Sequence, residues 1–482
     1  MMNNLILLPL LIPLLAGLVT VLYKPYRREI TIIASAVAGV IALTLSFHAV
    51  NEMMVINFGG WQSPYGIQFA GDFISLSLSG ISLILTSLIL MYGLHRPEYE
   101  NDKLPFILFL LVGVNGSFLT ADIFNLFVQF EVMLLASFVL MAIGNRAAQF
   151  KASIPYIVIN IIGSWIFLAA IAMTYRLYGT LNYAHLSIRV QDHGMSDHAI
   201  LIALLYLLVF ALKSALILFM WLPKSYAVLS TENSAIFSAL LTKVGVYAMI
   251  RFFTVIFSVH AAVTHEVLLV GSILTMIIGS IGVLAYRSIK YMICYQIILS
   301  IGIILFGLST HTDAGLQGAL LYLMNDMLIK GLLFLVAGII IRDLHISTVH
   351  AHHGAIKQYP LLGTIFLLVT LTIGGVPPFG GFAGKLLIIE GGLHDRSYIG
   401  TIVMIIASLI ALYTLIRMFL KVFFGEVDKM RANDIPKHQY GVMVVILILS
   451  LCITLFAQPI IDMLSHFDVD QYNQFLIKGG EK

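Results

Sequence analysis

Stretches of about 18 to 25 consecutive, mostly apolar residues recur from one end of this chain to the other, each long enough to cross a ~30 Å hydrocarbon layer as a helix. No soluble domain tolerates that pattern. Of the 482 residues, 60% are hydrophobic and 11% charged, against a usual charged share of ~25%. So few charges cannot coat several soluble globules. The expected fold class is therefore an all-α polytopic membrane protein with almost no extramembrane domain. A net charge of +3, spread along the chain, argues against a nucleic-acid partner. Cys294 and Cys452 lie far apart in apolar runs, which supports neither a disulfide framework nor a cysteine-held cluster. Residues 4–22 are apolar without a preceding basic segment, and Lys24, Arg27 and Arg28 follow them. That order predicts an uncleaved first span rather than a leader.

Hydropathy predicts fourteen transmembrane helices, at about 4–22, 30–50, 73–94, 104–120, 123–143, 154–177, 200–222, 233–257, 268–285, 292–309, 316–341, 361–390, 398–424 and 440–464. The fourth and fifth are separated only by Ala121-Asp122, and a single helix across both would be too long for one crossing. Lysine and arginine then alternate between loops. Arg96, Lys103, Arg146, Lys151, Lys224, Arg287, Lys290, Lys421, Lys429 and Arg431 fall on one side with Lys24, Arg27 and Arg28. The other side holds few, such as Arg189 and Arg396. By the positive-inside rule the first set is cytoplasmic, which places both termini outside a cell membrane.

Several ionisable residues fall inside spans, where each costs on the order of 3 kcal/mol. Glu131 is near the middle of the fifth span, Lys213 of the seventh, Lys243 of the eighth and Lys330 of the eleventh, and Lys385 is in the twelfth. Arg251 and Arg417 are nearer span ends, where a long side chain reaches the interface. Glu131 with Lys213, and Asp326 with Lys330 four residues on, read equally as ion pairs that orient helices. For the whole set that reading is weaker, because these lysines outnumber the acids beside them. Lysine changes protonation readily on burial whereas arginine does not. A row of such groups at the midplane, joined by water, suits lateral proton transfer.

Two of the lysine-bearing spans carry helix breakers. The seventh runs Lys213-Ser214-Ala215-Leu216 into Trp221-Leu222-Pro223, and the twelfth holds Gly374-Gly375-Val376-Pro377-Pro378-Phe379-Gly380-Gly381 before Lys385. A proline pair among glycines does not sustain a regular helix. Mid-membrane breaks persist where they are buried or line a wet cavity, and transporters use them as sites. The two interrupted spans hold matching places in two blocks of five, 104–257 and 268–424, and an odd number of spans sets consecutive copies upside down. The expected organisation is thus 1–103 as three leading helices, two inverted five-helix repeats at 104–257 and 268–424, and 425–482 as the last helix and tail.

With these residues laid out, the chain resembles the antiporter-like subunits shared by respiratory complex I and the multisubunit Mrp sodium/proton antiporters. The likeness runs through Asp122-Ile123-Phe124-Asn125-Leu126-Phe127 up to Glu131, and Ala211-Leu212-Lys213-Ser214-Ala215 with Trp221-Leu222-Pro223. It continues through Leu241-Thr242-Lys243-Val244-Gly245-Val246-Tyr247 and Asn325-Asp326-Met327-Leu328-Ile329-Lys330-Gly331, and ends at Gly375-Val376-Pro377-Pro378-Phe379-Gly380-Gly381-Phe382 with Lys385. It is strongest to the D-type subunits of the Mrp branch, on three features: a lysine at 385, Lys224-Ser225-Tyr226 after the Trp-Leu-Pro, and no long lateral helix at the C-terminus. Leu218 and Met220 stand where the wider family commonly has a proline and a histidine, and Asn325 where complex I subunits often have histidine.

The resemblance implies a proton-translocating subunit of a monovalent cation (Na+)/H+ antiporter complex, with a midplane relay of Glu131, Lys213, Lys243, Lys330 and Lys385. Asp326, Glu390, Pro223, Pro377 and Pro378 are possible auxiliaries. Other subunits and membrane lipids are the expected partners. Sodium is expected to pass through a partner subunit, since Glu131 alone makes a poor sodium cage. No cofactor, metal or bond chemistry is expected. The rival reading is an antiporter-like subunit of a complex I or membrane-bound hydrogenase-type redox pump, and a third is a scaffold whose charges only lock neighbours together.

Other clusters are weaker. His345, His350, His352 and His353 share one loop and could hold a metal, but a loop beside a partner subunit or lipid headgroups is the plainer reading. Asp72 and Glu232 sit at span edges, where capping or solvated surface is expected. Gly380-Gly381-Phe382-Ala383-Gly384-Lys385 lacks the spacing and the Ser/Thr of a phosphate-binding loop.

Overall fold

The computed structural model describes residues 2–94, 98–143, 147–194, 196–258, 261–425, 434–465 and 469–480. The described residues are mainly helical. Its helices are α1 (Leu8–Leu22), α2 (Arg27–His48), α3 (Phe73–Tyr92), α4 (Leu104–Leu119), α5 (Ile123–Ala142), α6 (Ala147–Tyr178), α7 (Tyr183–His193), α8 (Asp197–Ser214), α9 (Trp221–Tyr226) and α10 (Thr231–Arg251). They continue as α11 (Ala261–Ala285), α12 (Ile289–Ser309), α13 (Asp313–Arg342), α14 (Pro360–Gly374), α15 (Phe382–His394), α16 (Tyr398–Phe423), α17 (Lys437–Leu455), α18 (Ala457–Ser465) and α19 (Val469–Gly480).

Among the described residues thirteen helices are long and apolar enough to cross a membrane, and α14 is a shorter apolar helix. The fold is thus an all-α polytopic membrane protein. The fourth and fifth spans separate where expected: α4 ends at Leu119, and Asp122 caps α5 by accepting the amide of Asn125 at 2.8 Å. Both expected interruptions are present. The seventh span stops at Ser214 and resumes at Trp221, and the twelfth stops at Gly374 and resumes at Phe382.

Local chemistry explains most ends. Asp72 and Ser75 form a capping box on α3, and Ser196, Ser230 and Thr312 cap α8, α10 and α13. Gly375, at φ +76°, closes α14 in the left-handed conformation that glycine adopts freely. The end of α8 has no such excuse, because Ala215 and Ile217 take positive φ (+66° and +58°). For a β-branched residue this is a strained backbone. Tertiary contacts hold it: the Ile217 amide donates to Thr275 Oγ1 on α11 at 3.0 Å. On α10, a Cβ added at Gly245 would lie 2.9 Å from the Ser214 nitrogen.

Helices α10, α12 and α13 are buried almost throughout and form the centre, whereas α1, α2, α6, α16 and α17 expose much of their surface. Five features depart from expectation. The loop at 51–72 holds an antiparallel hairpin of β1 (Met54–Asn57) and β2 (Gln68–Gly71), and the loop at 178–199 holds α7. The last span divides into α17 and α18, and α19 folds back beyond it, with Gln68 Nε2 donating to Leu476 O at 2.9 Å and Asn473 Nδ2 to Ser187 Oγ at 3.1 Å. Arg251 does not snorkel. It is buried, paired with Asp72 and bonded to the Tyr247 hydroxyl at 2.8 Å. Glu232 is not solvated surface either, but fully buried, with Lys103 Nζ at 2.6 Å and Arg28 Nη1 at 3.6 Å. Of the loop cations behind the charge asymmetry, Arg96, Arg146, Lys429 and Arg431 lie outside the described residues.

Candidate functional site

The mid-span charges gather into three groups on α5, α8, α10, α13 and α15. In the first, Lys213 ends α8 beside the break, with Glu131 on α5 nearby. The two do not touch directly. Ser164 of α6 stands between them: its hydroxyl donates to Glu131 Oε1, and Lys213 Nζ donates to Ser164 Oγ at 3.4 Å. The ammonium also lies 4.9 Å from the centre of the Phe130 ring, a cation–π contact. Lys213 is buried, whereas Glu131 is half-buried on the flank of the bundle. The expected pair is therefore bridged by a hydroxyl.

The second group is central. Asp326 of α13 lies between two lysines, Lys243 Nζ of α10 at 2.9 Å and Lys330 Nζ of its own helix at 3.4 Å. All three are buried, with Asp326 2% exposed and both lysines 0%. Ser300 of α12 donates to Asp326 Oδ2 at 3.1 Å, and Lys243 also donates to Ser238 O at 3.0 Å. One carboxylate thus serves two cations, and the closer partner is on another helix, not the one four residues along.

The third group is Lys385, buried at the start of α15. Its ammonium donates to Ile373 O at 2.7 Å and Gly374 O at 3.3 Å, and lies 5.6 Å from the Tyr322 ring centre. These carbonyls belong to the last turn of α14, where helix carbonyls lack partners and the dipole favours a cation. Lys213 likewise sits in the last turn of α8. Both interrupted helices therefore carry a lysine at a C-terminal end.

Side-by-side elements link the groups. Gly245, two residues beyond Lys243, packs on the α8 break at Lys213–Ser214. Tyr322, under Lys385, is one turn before Asp326. Gly384 packs directly on Tyr322, and Gly380 on Asn325. Asn325 accepts from Ser450 of α17 at 2.5 Å.

The auxiliary residues scatter. Pro223 is buried in α9, Pro377 and Pro378 are exposed in the α14–α15 break, and Glu390 is exposed on α15. The histidine loop is stitched to its neighbours: Arg287 bonds His350 at 3.2 Å and His352 bonds Phe424 O at 3.3 Å. Among the described residues no three potential ligands converge on a metal position. Sequence reasoning missed Ser164, Ser300 and the Asn325–Ser450 pair. A serine in an apolar run carries no signal of the residue it will face.

Comparison with known proteins shows the family to which this chain belongs. The chain is 44% identical over 474 residues to an antiporter subunit mnhD2 of Staphylococcus aureus (strain N315), covering 96% of this chain and 95% of that one. It is also 44% identical over 498 residues to the mnhD2 of Staphylococcus saprophyticus, covering 99% of each. The fold matches a chain of the Mrp complex from Dietzia sp. DQ12-45-1b with a TM-score of 0.91 at 24% identity, over 99% of this chain and 100% of that one. It matches a chain of respiratory complex I from Thermus thermophilus with a TM-score of 0.84 at 20% identity, over 99% of each. Residues 120–412, which contain all five mid-span charges and both helix breaks, match the transmembrane region of the NADH:quinone oxidoreductase/Mrp antiporter family, and the chain belongs to that family.

Proposed function

We propose that this chain is the proton-carrying subunit of a multisubunit monovalent cation (Na+)/H+ antiporter complex. Protons move along the midplane through Glu131, Lys213, Lys243, Lys330 and Lys385, with Asp326 holding the central pair of lysines. The observation that carries this reading is the line of buried lysines across α8, α10, α13 and α15, whose two ends lie at helix breaks. A scaffold has no need of a cation at each break, since unpaired intramembrane charge is costly. The chain itself makes and breaks no covalent bonds. The antiporter reading is preferred to a redox pump because the 44%-identical relatives carry antiporter names.

The two blocks, 104–257 and 268–424, act as inverted half-pathways that meet at Asp326. Lys213 serves the first and Lys385 the second. Half-buried Glu131 is on the bundle flank, and a carboxylate at that depth does not face hydrocarbon. The α5–α6 flank is therefore covered by another subunit, whose charge acts on Glu131 and, through Ser164, on Lys213. Sodium passes through a partner. The complex resides in the cell membrane with both termini of this chain outside. Labelling of cysteines placed in 425–439 from the outer side would overturn that orientation.

The test is Na+-driven proton movement in everted vesicles carrying the whole complex, read with a pH-sensitive dye. Lys385→Ala and Glu131→Gln should each abolish the signal with the complex still assembled. Normal transport in both would remove the relay.

A further inference from the structure

The outer face of α11 is built like a berth for one lipid. Val270, Leu274, Ile277, Ile281 and Leu284 are all exposed, and their alternating spacing of four and three residues lines them along one seam. At the top of the seam the chain turns into a polar junction. Tyr286, exposed directly after the helix ends, stacks on Tyr291 and Tyr295 with ring centres 5.2 and 5.1 Å apart. Arg287 is next. It is exposed, and its Nη1 lies 3.2 Å from His350 Nδ1. The junction is fixed in place: Ile289 N donates to Ser347 O at 3.1 Å and Val349 N to Arg287 O at 2.8 Å. Among the described residues no carboxylate pairs with Arg287, and exposed His352 and Lys357 lie in the same loop region.

We propose that this face binds an anionic phospholipid, its phosphate held by Arg287 and His350 and one acyl chain laid along the α11 seam. Tyrosines at the end of a span mark the headgroup level, and arginine presents paired donors that match a phosphate. A helix from a partner subunit would fit the seam but would leave the arginine without an anion. The site adjoins the α8 break. Tyr295 packs on Phe219 with ring centres 6.0 Å apart, and Thr275 and Gly271 of α11 contact Ile217. The bound lipid thus buttresses the backbone next to Lys213.

The lipid assignment stands by itself, while its effect on transport rests on the proton-relay reading. The test uses the whole complex in two arms. Native mass spectrometry counts retained phosphatidylglycerol, and transport is compared in vesicles of phosphatidylglycerol and of phosphatidylcholine. Arg287→Ser with His350→Ala should lose one retained lipid and most of the advantage that phosphatidylglycerol gives, with about a fivefold loss of lipid affinity from removal of the arginine charge alone. Arg287→Lys should keep the lipid, which guards against a folding defect. Unchanged lipid retention in the double variant overturns the proposal, as does loss of a protein subunit with lipid retained. Normal transport in both Lys385→Ala and Glu131→Gln would overturn the relay and leave the lipid count unaffected.

Discussion

Asp326 reaches across from α13 to Lys243 of α10 at 2.9 Å, closer than to Lys330 on its own helix at 3.4 Å. The carboxylate therefore ties α10 to α13 as well as contacting a lysine on its own helix. A central relay role for Lys330, with Asp326 one turn earlier modulating it, makes Lys330→Ala the harsher change for transport. With one anion between two buried cations, the order of structural damage is reversed. Asp326→Asn should cost about 3–5 kcal/mol, because it leaves both cations uncompensated. It should lower the amount of assembled complex. Lys330→Ala leaves a matched Lys243–Asp326 pair and should assemble, yet fail to transport. Immunoblots of the complex beside dye-quench transport separate the two effects.

Ser164 bridges Glu131 and Lys213 by hydrogen bonds. Removing the hydroxyl by Ser164→Ala should cost about 1 kcal/mol, the usual size of an interhelical hydrogen bond in a membrane, and reduce transport without abolishing it. Glu131→Gln should abolish transport with assembly intact, and Glu131→Asp should retain part. If Ser164→Ala transports normally, the bridge has no part in coupling.

Lys385 donates to the carbonyls that close α14. Lys385→Ala should stop transport while the protein remains in the membrane at normal level, since those carbonyls can be rehydrated at the break. Sodium-dependent dye recovery equal to wild type at equal expression would remove Lys385 from the path.

Gly245 carries no charge, yet its substitution should matter. A Cβ there would lie 2.9 Å from the Ser214 backbone nitrogen and 3.2 Å from Lys213 C, atoms that cannot rotate away. Gly245→Ala should push α10 off the α8 break at about 1–3 kcal/mol and lower transport with every ionisable group present. The measurement is transport per assembled complex.

Asp122, in the junction between α4 and α5, is pushed up from 3.8 to about 6 by burial, offset in part by the Asn125 and Phe124 amides. A carboxyl with a raised folded pKa contributes stability that is complete below its unfolded value and is lost as pH rises through the folded one. The melting temperature of the purified complex should therefore fall as pH rises from about 4 through about 6. Asp122→Asn keeps a capping side chain and should flatten that fall. An identical pH profile in the variant would rule Asp122 out as its source.

The membrane class, most of the helical runs, both interruptions and the identity of the charged residues are legible in the chain alone. Apolar run length, the glycine–proline cluster at 374–381 and the rarity of intramembrane charge are properties of the chain alone. It also showed that Ala121-Asp122 divides two spans. It could not show which charge meets which. Pairing of Lys243 with Asp326, or the place of Ser164 between Glu131 and Lys213, depends on how helices distant in sequence are set beside one another. The burial of Arg251 and Glu232 was hidden for the same reason. Each stands near a helix end, where water is the default partner, and only the packing of α3, α2 and α4 around α10 brings Asp72, Arg28 and Lys103 within reach. The α8 break divides between the two sources. Its lysine and Trp-Leu-Pro are legible, but the positive φ of Ala215 and Ile217 exists because α10 and α11 hold that backbone in place.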